Sequence, residues 1–151
     1  MGLDQYLYAK KYTSENFNNG GQFEKLKDAL GADVEYLDKQ TPSVSIEMKV
    51  GQWRKANEIH QWFVNNCQDS IDDCRFAYVG REKLTELLDL CKQVVADNSK
   101  AQDLLPTQEG FFFGSTEYDV WYFKVLEETV GTLEKCLTLD DEWEFYYSSS
   151  W

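Results

Sequence analysis

The sequence predicts an α+β fold, with three main helices packed on a small, mostly antiparallel sheet. Three observations carry this. Residues 3–9 place Leu3, Gln5, Leu7 and Ala9 on one side and Asp4, Tyr6 and Tyr8 on the other, the period-2 pattern of a strand. Leu84, Leu87, Leu88, Cys91, Val94 and Val95 form one continuous apolar stripe at helical spacing, and a second runs through Tyr118, Trp121, Tyr122, Val125, Leu126, Val130 and Leu133. Trp143–Tyr147 then alternates again as a last strand. Helices and strands in this mixed order, with no regular βαβ alternation, favour a layer of helices on an antiparallel sheet.

After the first strand, residues 13–21 are polar and glycine-rich and read as a loop. Gln22–Leu30 carries Phe23, Leu26 and Leu30 at helical spacing, and Gly31 is a natural stop. Residues 33–37 and 43–50 read as extended; in the second, Val44, Ile46, Met48 and Val50 alternate with Ser45, Glu47 and Lys49. Trp53, Ala56, Ile59, His60 and Phe63 recur at three and four, so a helix is expected over Trp53–Asn66. Residues 67–75 form an Asp-rich loop, Phe76–Val79 a short strand and Glu82–Ala96 the clearest helix. Ser99 with Gln102 resembles a capping box before a brief helix ending at Leu105-Pro106, and Thr116 with Asp119 a second one before a helix reaching about Leu137. Leu84, Leu87, Leu88, Cys91, Val94 and Val95 are expected to be core, facing Val125, Leu126, Val130 and Leu133. With no repeat, linker or low-complexity tract, residues 1–151 read as one globular domain.

Composition narrows the function. Fifteen Lys and Arg against 27 Asp and Glu leave a formal charge of −12, against duplex DNA or an anionic membrane as partner, since both demand a basic face. Nine Phe, nine Tyr and five Trp are too many for an acidic disordered tail. No apolar run is long enough to span a membrane. Met1-Gly2-Leu3-Asp4-Gln5-Tyr6 has neither a secretion signal's basic region nor its apolar core, and Tyr6 replaces the Ser or Thr of a myristoylation start, so a cytoplasmic protein is expected. Cys67, Cys74, Cys91 and Cys136 form no C-x-x-C pair and His60 is the one histidine, so neither a zinc site nor a disulfide is expected, and no cofactor. Asp69, Asp72 and Asp73 miss the spacing of a calcium-binding loop.

The opening Met1-Gly2-Leu3-Asp4, the stretch Trp53-Arg54-Lys55-Ala56-Asn57-Glu58-Ile59-His60-Gln61-Trp62-Phe63-Val64, Leu104-Leu105-Pro106-Thr107, Gly110–Asp119 and Trp143-Glu144-Phe145-Tyr146-Tyr147 together resemble a group of small proteins of bacteriophages and prophage-bearing bacteria. The resemblance covers most of the chain. It implies a setting, phage biology inside a bacterial host cell, and no particular activity or catalytic residue. In that setting small proteins disarm host defences by binding an enzyme or by sequestering its nucleotide signal.

Two segments carry candidate binding chemistry. On the expected Trp53–Asn66 helix, Arg54, Asn57 and Gln61 share one polar stripe and Trp53, Asn57 and His60 an adjoining one, with Lys55 beside them. A guanidinium, an amide and an imidazole suit a phosphate, a base edge and a ribose hydroxyl. The alternative is a satisfied, half-buried His60 between Ala56 and Phe63 and an Arg54 paired with a carboxylate. Gly110-Phe111-Phe112-Phe113-Gly114-Ser115-Thr116 joins flexible glycines to aromatic faces able to stack on a base, ahead of a helix N-terminus that attracts anions. The alternative is a buried strand of phenylalanines, with Thr116, Glu117 and Asp119 neutralising that helix end. No catalytic signature is present. The leading expectation is a non-enzymatic protein holding a small nucleotide-like ligand through Trp53, Arg54, Lys55, Asn57, His60 and Phe111–Thr116. An acidic inhibitor of a host defence protein, and a small nucleotide-processing enzyme using His60, are the alternatives. The aromatics of 143–151 read as a packed edge strand or a dimer surface, which leaves a homo-oligomer open.

Overall fold

A computed structural model of the chain describes residues 2–14, 16, 21–31 and 43–151. The extended stretch expected at 33–37 and much of the loop expected at 13–21 lie outside them. Strands β1 (Asp4–Ser14), β2 (Ser43–Arg54), β3 (Ala77–Val79) and β4 (Glu144–Ser150) form one sheet in the order β2-β1-β4-β3. Every pairing is antiparallel. Five α-helices accompany it among the described residues, where three main ones were expected: α1 (Gln22–Leu30), α2 (Asn57–Cys67), α3 (Arg81–Ala96), α4 (Ala101–Leu104) and α5 (Val120–Leu137), with a 3₁₀ turn at Asn98–Lys100.

The sheet is two-faced, as the β1 alternation predicts. Leu3, Leu7 and Ala9 are fully buried on the inner side, while Tyr6, Tyr8 and Tyr12 face outward. The strand runs five residues past the expected end at Ala9 because its inward positions turn polar without leaving the core side. Lys11 is only 6% exposed and its ammonium is paired with Glu142 and, at 3.5 Å, with Asp140. Paired in this way, a long lysine stem fills an inward position at tolerable cost. β4 is likewise longer than expected: Ser148, Ser149 and Ser150 continue the ladder opposite Tyr6, Gln5 and Asp4. It lies between β1 and β3, so it is an interior strand and not the expected edge strand.

β2 corrects the helix expected from Trp53. Trp53 pairs in register with Gln5 and Arg54 with Asp4, so both belong to the strand, and the helix begins at Asn57. Trp53 and Ala56 are both buried at the strand–helix junction, which mimics helical spacing although the chain turns between them. Lys55 makes that turn with a left-handed φ of 57°. Consequently no single helix presents the polar stripes expected from Trp53 and Arg54 through Asn57, His60 and Gln61. A register shift between Leu7 and Tyr8 leaves Val50 as the extra residue of a bulge. Just beyond it Gly51 is buried under α5, where a Cβ would stand 3.2 Å from Thr132 and from Leu7.

α3 and α5 pack against each other over the inner face. Leu84, Leu87, Leu88, Cys91 and Val94 are buried against a face containing Leu126 and Leu133, with Val125 and Val130 partly buried. Val95 departs from the expected core: in the last turn of α3 it keeps 37% exposure. Both expected capping boxes are replaced by single aspartates. Asp97 accepts a bond from Ser99 N (3.1 Å) at the 3₁₀ turn, and Asp119 accepts from Trp121 N and Tyr122 N (both 3.0 Å), so α5 starts at Val120. One side-chain oxygen satisfying orphan helix N–H groups suffices to set each start. α1 has the expected bounds, with Gly31 left-handed at its end, although of its stripe only Phe23 is fully buried and Leu30 is 64% exposed. No described helix is long and apolar enough to cross a membrane.

Candidate functional site

The segment leading into α5 folds back on the β2–α2 junction and is fastened there by buried polar groups. Gln5 reaches across from β1: its Nε2 donates to Ala56 O (2.8 Å) and its Oε1 accepts from Ala56 N (3.2 Å). Asn57, 1% exposed, donates through Nδ2 to Phe113 O (3.1 Å) and Ser115 O (2.9 Å), and its Oδ1 accepts from Gln108 N (2.8 Å). Leu3 N donates to Phe112 O (3.0 Å), and Lys55 N to Leu3 O (2.8 Å). Gly114 is left-handed (φ 92°) and packs so closely on Lys55 that a Cβ would lie 3.0 Å from the lysine Cβ. The amide expected to meet a ligand is therefore spent on holding the loop.

What the fastening creates is a cleft of about 300 Å³ between the β2–α2 turn, the loop and the first turns of α5. Arg54 and Lys55 line one side with Gly114 and Ser115. Of the residues expected to bind, these four are brought together. Arg54 is 67% exposed, with a single long ion pair to Asp4 (3.8 Å) among the described residues. Across the cleft stands Trp121, 69% exposed, with the Lys124 ammonium 5.2 Å from its ring centre. Glu58 and Tyr122 also line it. Glu58 is 4% exposed, and its Oε1 has no hydrogen-bond partner among the described residues. Burial lifts its carboxyl from the ordinary 4.5 to about 7; a bond from its own backbone N–H opposes the rise and the nearby charge of Asp119 adds to it. Tyr122 is anchored by its OH, which donates to Leu105 O (2.7 Å). Asp119 already caps α5, so that helix end is not an open anion site.

Most of the remaining expected residues are engaged within the fold, Phe111 excepted. His60 is fully buried; Nδ1 meets Tyr147 OH (2.8 Å) and Nε2 meets Asp72 Oδ2 (2.9 Å), so both ring nitrogens are occupied. Phe113 closes over it edge-on at 5.2 Å, and Trp151 Nε1 donates to the other Asp72 oxygen (3.1 Å). Trp53 is buried with its Nε1 donating to Thr129 Oγ1 (2.8 Å). Thr116 O accepts from Thr107 Oγ1 (2.9 Å). Phe111–Phe113 form a turn rather than a buried strand: Phe111 is 96% exposed, and Phe112 lies edge-on to it at 4.9 Å. The aspartates of 69–73 are divided, Asp72 going to His60 and Asp69 and Asp73 to Arg75. Among the described residues no three His, Cys, Asp or Glu gather as a metal site would need.

Sequence reasoning missed Glu58 and Trp121. Glu58 lies inside the Trp53–Val64 stretch, but a glutamate in a first helical turn reads as solvent-exposed by default. Trp121 falls on the apolar stripe of its helix, and nothing in the sequence marks it as exposed. No family model matches the chain, and no curated protein and no solved structure matches it either.

Proposed function

We propose that the chain binds a small nucleotide-like anion in the Arg54–Lys55 cleft and holds it without converting it, as a phage protein that removes a host defence signal inside the bacterial cell would do. One observation carries this reading: two cations, an exposed tryptophan and a tight glycine turn border one cleft of about 300 Å³. That is the lower end of the size range of small-molecule sites. Arg54 and Lys55 meet phosphate oxygens, Trp121 supplies a stacking face, and Ser115 a hydroxyl. His60, the one imidazole, has no exposed surface and so does not reach this cleft as an acid or base.

Titration calorimetry with ribonucleoside monophosphates tests the proposal directly. Arg54→Ala removes a charge-assisted bond worth about 1.5–3 kcal/mol, so affinity should fall about ten- to hundredfold while the melting temperature holds. Ligand recovered after denaturation should have its original mass. A ligand bound equally by wild type and Arg54→Ala would overturn the proposal, and a recovered product would make the protein an enzyme.

A second reading, an inhibitor directed at a host defence protein, is favoured by the outer face of the sheet. Phe76 and Tyr78 are 50% and 58% exposed there, beside Tyr8, Tyr146 and Lys10. Exposed aromatics of this kind anchor protein interfaces. Under that reading Tyr78→Ala abolishes defence inhibition and Arg54→Ala leaves it intact.

A further inference from the structure

We infer that Glu58 is the base-reading residue of this cleft, and that the ligand is a guanine nucleotide or another ring presenting two adjacent N–H donors. The inference rests on the nucleotide reading above and specifies which base it takes. Its ground is the state of the Glu58 side chain. A carboxylate is a pure acceptor with two oxygens, and burying it without partners is costly. Here it is 4% exposed, lines the cleft, and carries an oxygen that no described residue bonds.

Apart from the bond from its own backbone N–H, the surrounding groups do not relieve it. From α5, Asp119 and Tyr122 face the same space, the first a like charge and the second a phenol already donating to Leu105 O. From α3, the buried thiol of Cys91 is held neutral by desolvation, raised to about 12. Glu117 adds a further carboxylate from the loop, and Arg54 and Lys55 line the cleft from the β2–α2 turn. An oxygen left in this position is completed by a donor from a ligand.

Base chemistry then discriminates. Guanine offers N1–H and the N2 amino group side by side, matching the two oxygens of one carboxylate. Adenine and cytosine place a ring acceptor next to their amino group, and uracil flanks its single N–H with two carbonyls. Each would set a lone pair against Glu58. With the base held there, Trp121 is the ring available to stack on it, and Arg54 and Lys55 are left for the phosphate. Sites built around a buried hydrogen-bonding group reject ligands that cannot pair with it far more strongly than apolar pockets reject a misfit.

The test is calorimetric titration of the full chain with GMP, AMP, CMP and UMP at pH 8, repeated for Glu58→Gln, with melting temperatures recorded for both proteins. The expected result is GMP bound roughly tenfold or more above the other three by wild type. In Glu58→Gln that preference should disappear, because an amide nitrogen now opposes one of the guanine donors, while the variant stays folded. The wild-type preference should also shrink at pH 6, where a protonated carboxyl loses an acceptor position. Equal affinity for the four nucleotides, or a guanine preference that survives Glu58→Gln, would overturn the base assignment and leave the nucleotide proposal standing. Binding of none of the four would overturn both.

Discussion

Glu58 sets a cost on the fold that depends on pH. Its carboxyl titrates near 7 in the folded chain instead of 4.5, so the folded state holds this proton more tightly than the unfolded state does. Folding is therefore favoured by Glu58 at pH values below about 4.5 relative to values above 7, and the contribution is lost as the pH rises between them. A rise of that size corresponds to no more than about 3.5 kcal/mol, on the order of 1.4 kcal/mol for each pH unit. Glu58→Gln cannot titrate. Urea unfolding from pH 4.5 to pH 8 should show the variant gaining on wild type through this window and reaching a plateau above it. A difference that stays flat across the window would show that the carboxyl is solvated. His60 sits at the same scale with the opposite character, since its ring nitrogens are occupied and its removal takes a buried partner from the Tyr147 hydroxyl and from Asp72 Oδ2. His60→Ala should cost about 1–3 kcal/mol of stability and leave nucleotide affinity per folded molecule unchanged. Asn57 shows why residue type alone could not separate these roles. The sequence leads one to expect its amide to meet a ligand, whereas three loop backbone groups are its partners. Sequence lists what a side chain can bond, and only the fold decides whether a ligand or another segment supplies the other half.

At the scale of elements, legibility followed how local the cause was. The α3 stripe was readable because an amphipathic helix writes its buried face into a few turns of chain, and five of its six expected residues are buried. Leu88→Ala should accordingly cost about 2–5 kcal/mol in denaturant unfolding; a loss below about half of one would mean the face is wet. The strand ends were not readable. Lys11 is inward only because Asp140 and Glu142, far along the chain, neutralise it, and Ser148–Ser150 are extended only because β1 offers a ladder. The β2–α2 boundary failed for the same reason: pairing of Trp53 with Gln5 outweighs a local helical period. The candidate cleft was half legible. Arg54, Lys55, Gly114 and Ser115 stood out as chemistry-bearing and do meet, whereas Trp121 and Glu58 become visible only when α5 is laid beside the β2–α2 turn.

Across the whole molecule, the two cations of the cleft sit in a strongly acidic field. The chain carries −12 overall, and Glu58, Glu117 and Asp119 line the same cleft as Arg54 and Lys55. An anionic ligand is thus repelled at a distance and attracted on contact. Salt separates the two effects, because screening acts over about 10 Å at 0.1 M and weakens distant repulsion more than a direct guanidinium–phosphate bond. The association rate of a nucleoside monophosphate should therefore rise between about 20 and 200 mM salt, with dissociation changing less. A protein that bound nucleic acid through a basic face would do the reverse and lose affinity steeply over the same range. Stopped-flow measurement of the association rate against ionic strength distinguishes them. A rate that falls with salt would mean that the ligand approaches through a positive potential which the charges bordering this cleft do not provide, and it would move the binding site elsewhere on the molecule.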